Sequence, residues 1–211
     1  MPAYYDRNPG RPDTFLATPR TAGNVLTSTG TGWASASPGH GLVLLQTVTA
    51  ANSSTVDIDR SIDSTYSEYL LSFSGVNMAG NDQLYLRMLI DGTYQTSGYV
   101  YTGFYNTAGN AGAPNSNNSA SANFIPVSVG VIAQTQGAAN GQIWFSNPSN
   151  TTIYKQVRLT CSFRDSSGYM AYNTINANNT NSTGALTGFR FYTSSTNITA
   201  GNFRLYGIKS S

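Results

Sequence analysis

The stretch "QLYLRMLIDGTYQ", residues 83–95, decides the fold. Leu84, Leu86, Met88 and Ile90 recur at every second position, with Tyr85, Arg87 and Leu89 between them. A period of two puts the first set on one face of a strand and the second on the other. The strand then meets Asp91-Gly92, the dipeptide of a tight hairpin turn, because both central residues of such a turn need positive φ. A half-buried antiparallel strand followed by a reversal is the unit of an all-β domain.

The same period extends in both directions. Upstream, "LVLLQTVTA" (42–50), "TVDID" (55–59) and "EYLLSFSG" (68–75) read as strands. Downstream come "YVYTGFY" (99–105), "FIPVSVGVI" (124–132), "GQIWFSN" (141–147) and "QVRLTCSFR" (156–164). "GYMAYNT" (168–174), "ALTGFRFYTS" (185–194) and "NFRLYGIK" (202–209) complete the set. In 156–164 the alternation places Val157, Leu159, Cys161 and Phe163 inward and Arg158 and Arg164 outward. No capping signal precedes a 3.6-period run, so no helix is expected. About ten strands at this spacing predict an antiparallel β-sandwich, jelly-roll-like, over residues 42–211. Two polar stretches, 106–123 and 176–183, lack periodicity and are expected to be loops; a long loop in a compact domain carries function.

Ahead of the sandwich, residues 1–22 read as an extended arm. Pro2, Pro9, Pro12 and Pro19 forbid regular helix there and bias their predecessors toward extended backbone. Tyr4, Tyr5, Phe15 and Leu16 are anchors of the kind that fill pockets, and Arg7, Arg11 and Arg20 can pair with carboxylates. Such an arm buries too little apolar surface to order itself, so a sister subunit or another protein is expected to hold it. Residues 23–41 form a Gly-rich connector with one β-turn expected at Thr29–Gly32.

Composition excludes several classes of function. Charged residues are 9% of the chain and aromatic residues 12%, while Asn, Ser and Thr together make up about a third. A net charge of +2, dispersed along the chain, is no footprint for nucleic acid. No 18-residue apolar run marks a membrane helix and no apolar leader marks secretion. The six Asn-x-Ser/Thr sequons, such as those at Asn117 and Asn178, follow from the composition. One His, His40, sits between glycines, so a Ser-His-Asp site is not expected. Cys161 alternates with core residues and reads as a small buried hydrophobe. Asp57, Asp59 and Asp63 lie in "DIDRSID" without the ligand order of a calcium loop. No enzyme, metal or cofactor is expected. Tyrosines beside the polar loops can stack on sugars or fill a protein interface, which makes Tyr99, Tyr101 and Tyr105, with Asn115 and Asn178, the candidate contact residues.

The connector "AGNVLTSTGTGWASASPG" (22–39) resembles the short linker of many tailed-phage tail fibres and virion appendages, of the form GNVLTS-G-W-S. The domain after it, opening "GLVLLQTVTAANSSTVDI" and ending "FRFYTSSTNITAGNFRLYGIK", is similar to β-sandwich domains of phage virion proteins. The resemblance covers most of residues 22–211 and carries no catalytic residues. It implies a structural protein of the virion, assembled in the host cytoplasm. The first expectation is a capsid decoration or cement protein. Its arm would strap across the major capsid protein while its sandwich forms an external knob, as a homo-oligomer and most simply a trimer. The other expectation is a tail-fibre or appendage tip that binds host glycan.

Overall fold

The structure is a computed structural model that describes residues 25–28, 30–31, 33–36, 41–109, 114–135 and 137–209. Contacts divide the chain into two units, one ending at Gly41 and the other running from Leu42 to Ser210. The expected arm residues Tyr4, Tyr5, Arg7, Arg11, Phe15, Leu16 and Arg20, and His40, lie outside the described residues.

In the first unit, β1 (Val25–Ser28) and β2 (Trp33–Ala36) pair antiparallel, Val25 opposite Ala36 and Ser28 opposite Trp33. The connector therefore holds a hairpin, where only a turn was expected. The second unit is an antiparallel sandwich of thirteen strands in two sheets, with no helix among the described residues.

The larger sheet has eight strands. Its members in chain order are β3 (Gly41–Thr49), β5 (Glu68–Met78), β8 (Tyr99–Thr107), β9 (Asn115–Ala122), β11 (Ala139–Ser146), β12 (Gln156–Arg164), β13 (Met170–Asn179) and β15 (Ile198–Lys209). Across the sheet they run β3-β15-β5-β11-β12-β13-β8-β9. The smaller sheet has β4 (Thr55–Ile58), β6 (Leu84–Ile90), β7 (Thr93–Tyr94), β10 (Ile125–Pro126) and β14 (Leu186–Thr193), in the order β10-β6-β14-β4 with β7 also on β6. Strand β6 holds the alternating run of residues 84–90, and its burial alternates as its residues do. Asp91 and Gly92 have φ of 49° and 74° and turn β6 into β7.

The core is an aromatic seam between the sheets. Phe191 of the smaller sheet lies 5.7 Å from Phe73 and 4.7 Å from Phe203, ring centre to ring centre, and Phe189 meets Phe145 edge-on at 5.1 Å. Tyr69 stacks on Phe145 at 5.1 Å. Gly141 lies under this seam, where a Cβ would stand 2.4 Å from the Phe73 ring and 2.2 Å from the Thr160 carbonyl oxygen. Cys161 is buried within the sandwich, and burial pushes its thiol well above the usual value.

Buried polar groups pin the crossings. Asn173 accepts from the Val129 N–H at 3.3 Å and donates to the Val127 carbonyl at 3.1 Å. The Lys155 ammonium, 2% exposed, donates to the carbonyls of Asn150, Ile153 and Thr183. The Asp82 carboxylate, 5% exposed, collects the Gln83 N–H at 2.7 Å, the Ser195 N–H at 2.9 Å, the Thr196 N–H at 3.1 Å and hydroxyls of Ser194, Ser195 and Thr196.

Two of the expected loops contain strand. Within 106–123, Asn115–Ala122 is β9, hydrogen-bonded to β8 with Asn115 opposite Tyr105. Within 176–183, Asn176–Asn179 is the end of β13. Backbone pairing to a neighbouring strand outweighs the low strand propensity of Asn and Ser, and the exposed edge strand is correspondingly polar.

Two outcomes test these pins. Burial pushes the Asp82 carboxyl up, but its hydroxyl and backbone donors outweigh that and hold it at about 2. Its folded value lies below its unfolded one, so the stabilisation is present above about pH 4 and is lost as pH falls through about 2. We expect on the order of 2 kcal/mol of acid-sensitive stability from this group, seen in urea titrations across pH and missing from Asp82→Asn. The Tyr99 hydroxyl accepts from the Met88 N–H at 2.8 Å and donates to the Gln95 carbonyl at 3.0 Å. Tyr99→Phe strands that N–H in the core, and chemical denaturation should show a loss of about 1–3 kcal/mol.

Candidate binding face

The outer face of the eight-stranded sheet is built by alternation. Because Ile143 and Phe145 of β11, Val157 and Leu159 of β12 and Ile175 and Ala177 of β13 point into the core, the residues between them must point out. The register then aligns them in rows. One row reads Leu70, Trp144, Arg158, Asn176, Thr102 and Asn118, each directly opposite the next. The row on one side carries Glu68 opposite Ser146, and Gln156 opposite Asn178 opposite Val100. On the other side stand Gln142, Thr160, Thr174 and Phe104. Beyond them come Asn140, Ser162, Tyr172 and Asn106.

A groove of about 480 Å³ lies over the first two rows, walled by Glu68, Trp144, Gln156, Arg158, Asn176 and Asn178. Trp144 is 39% exposed although it is the bulkiest residue type. Among the described residues, the Trp144 indole N–H, the Arg158 guanidinium and the side-chain amides of Gln156 and Asn176 have no hydrogen-bond or ion-pair partner. Asn178 Oδ1 is enclosed at the groove wall without a partner. An unsatisfied enclosed acceptor costs stability in the free protein. Glu68 is the groove's single carboxylate among the described residues. The set thus presents a flat aromatic ring, several neutral donors and acceptors, and one charge of each sign.

Of the expected contact residues, Tyr101 and Asn178 line this groove, and Tyr99, Tyr105 and Asn115 do not. Tyr99, Tyr101 and Tyr105 share the inner face of β8. Tyr99 is fully buried, Tyr101 packs against the core, and Tyr105 stacks on Phe163 at 6.5 Å. Burial raises the hydroxyl of each above the usual tyrosine value. Alternation in "YVYTGFY" presents Val100, Thr102 and Phe104 instead, so Tyr99 is corrected from a contact residue to a core one. Asn115 lies exposed on β9, away from the groove wall, while Asn178 forms part of that wall. The aspartates of "DIDRSID" are dispersed. Asp57 binds Arg190 in a two-point ion pair with distances of 2.7 and 2.6 Å, and Asp63 accepts from the Thr65 N–H at 2.8 Å. Trp144, Gln156, Asn176 and Glu68 were missed. The alternation of "GQIWFSN" already set Trp144 opposite in phase to Ile143 and Phe145, which was the available signal.

Compared with protein-family models, with curated proteins and with solved structures, the chain matches none.

Proposed function

We propose that this chain is a non-enzymatic recognition protein of a tailed-phage virion, whose outer sheet face binds uncharged host-surface glycan. The observation that carries it is the groove of Trp144, Arg158, Gln156, Asn176 and Asn178, in which an exposed ring stands among polar side chains with no partner of their own. A sugar offers both things such a set lacks: a C–H face to lie on the indole, and hydroxyls that donate and accept. Hydrolysis of a glycosidic bond takes two carboxylates about a groove, and among the described residues Glu68 stands alone here. The virion setting comes from the connector at residues 22–39.

Trp144→Ala and Arg158→Ala should each abolish or weaken binding by at least about tenfold on an array of neutral glycans. Both side chains face solvent, so denaturation midpoints should stay close to that of the parent chain. Parent-level binding by folded Trp144→Ala would overturn the assignment of the groove.

A second role, capsid decoration, is favoured by a different feature. Strand β3 is terminal in its sheet and follows directly on residues 1–40, yet Leu42 and Leu44 are 52% and 54% exposed. An exposed apolar edge is a template for pairing with another chain, here a sister subunit or the major capsid protein, with the arm as strap. Deleting residues 1–22 should leave the sandwich folded and remove the protein from purified particles. Unchanged incorporation of the truncated chain would exclude the strap.

A further inference from the structure

The outer sheet face is hollowed beyond Trp144 as well. Two further hollows lie on the same sheet face, of about 340 Å³ beside Gln142, Thr160, Ser162 and Tyr172, and about 370 Å³ beside Asn106, Ser162, Met170 and Tyr172. They share Ser162 and Tyr172. The row of Gln142 and Thr160 adjoins the row of Trp144 and Arg158, so the three hollows follow one another diagonally across β11, β12 and β13.

A second aromatic platform stands at the far end. Phe104 is 60% and Tyr172 51% exposed, on the same face as Trp144. Phe104 opposes Thr174, two residues from Tyr172, so the two are diagonal neighbours about 8 Å apart. Trp144 lies two strands and four residues from Tyr172, which sheet geometry converts to about 16 Å. Between the platforms the floor is Gln142, Thr160 and Thr174, and among the described residues no charged side chain lines the second and third hollows. Among the described residues, Glu68 and Arg158 are the charges lining the first and are of opposite sign. Arg204, in the row of Gln142, and Arg164, opposite Met170, stand at the margins of this face, while the floor itself offers a neutral polymer hydroxyl and amide partners throughout.

On the glycan reading of the groove, we infer that the occupant is an internal stretch of an unbranched, uncharged polysaccharide, laid diagonally from Trp144 to Phe104 and Tyr172. A terminal sugar would reach one platform only. A chain that spans both makes the second stacking contact intramolecular, so affinity grows with length until the span is reached and then levels off.

The test uses the full chain and neutral glucan, galactan, mannan and rhamnan oligosaccharides graded from disaccharide to octasaccharide. For whichever series binds, affinity should rise at least about tenfold from the shortest to the longest member. The double variant Phe104→Ala/Tyr172→Ala should erase that rise while keeping the short-oligomer affinity, and Trp144→Ala should lose all of it. Both removed rings are exposed, and a denaturation curve on each variant verifies the fold. Equal affinity at every length, sensitive to Trp144→Ala but not to the double variant, would overturn the extended chain and leave the groove a glycan site. Binding of no oligomer in any series would overturn both.

Discussion

Everything on the outer face depends on which side chains the aromatic seam takes inward. Phe145, Phe189, Phe73, Phe191 and Phe203 interlock between the sheets at ring separations of 4.7 to 6.3 Å. Burying each such ring removes a large apolar area from water, worth roughly 1.5–3 kcal/mol. A one-residue slip of β11 would exchange Phe145 for Trp144, one of β12 would exchange Val157 for Arg158, and one of β13 would exchange Ile175 for Asn176, so the register is strongly specified. The groove's composition is the complement of the core's. Because Ile143 and Phe145 are held inside, Trp144 is held outside.

An outer face made this way is rigid. Its residues stand on central strands whose backbones are hydrogen-bonded on both sides, flanked by crossings that Asn173, Asn179, Asp82 and Lys155 tie to backbone groups. Side chains presented by such a sheet lose little further freedom when a ligand arrives, which favours affinity from modest contacts. The smaller sheet offers nothing comparable. Its outward cations are already engaged, Arg190 with Asp57 and over the Tyr94 ring at 3.9 Å, and Arg87 over the Tyr192 ring at 4.6 Å.

The polar composition takes on a positional meaning in this frame. Asn and Ser dominate the edge strand β9, and Thr160, Ser162, Thr174, Asn176 and Asn178 stand among the outward positions of β12 and β13. On an exposed edge they discourage apolar stacking with other sheets. On the open face they supply neutral hydrogen-bonding groups beside the exposed rings.

Sequence alone determined the elements whose signal is local. The alternation of residues 84–90, the Asp91-Gly92 turn, the inward Cys161 and the outward Arg158 were all legible, because side-chain period and turn chemistry are carried by neighbouring residues. The tertiary structure decided three things. It made a strand of "NSNNSASA", whose own propensity is poor, by pairing its backbone to β8. It chose the face of Tyr99, Tyr101 and Tyr105, because both phases of "YVYTGFY" carry aromatic residues and only packing against Phe163 and the core separates them. And it brought Trp144, Arg158 and Asn176 into one row from strands β11, β12 and β13. That alignment rests on inter-strand register, a property of hydrogen bonds between distant segments that no single segment contains.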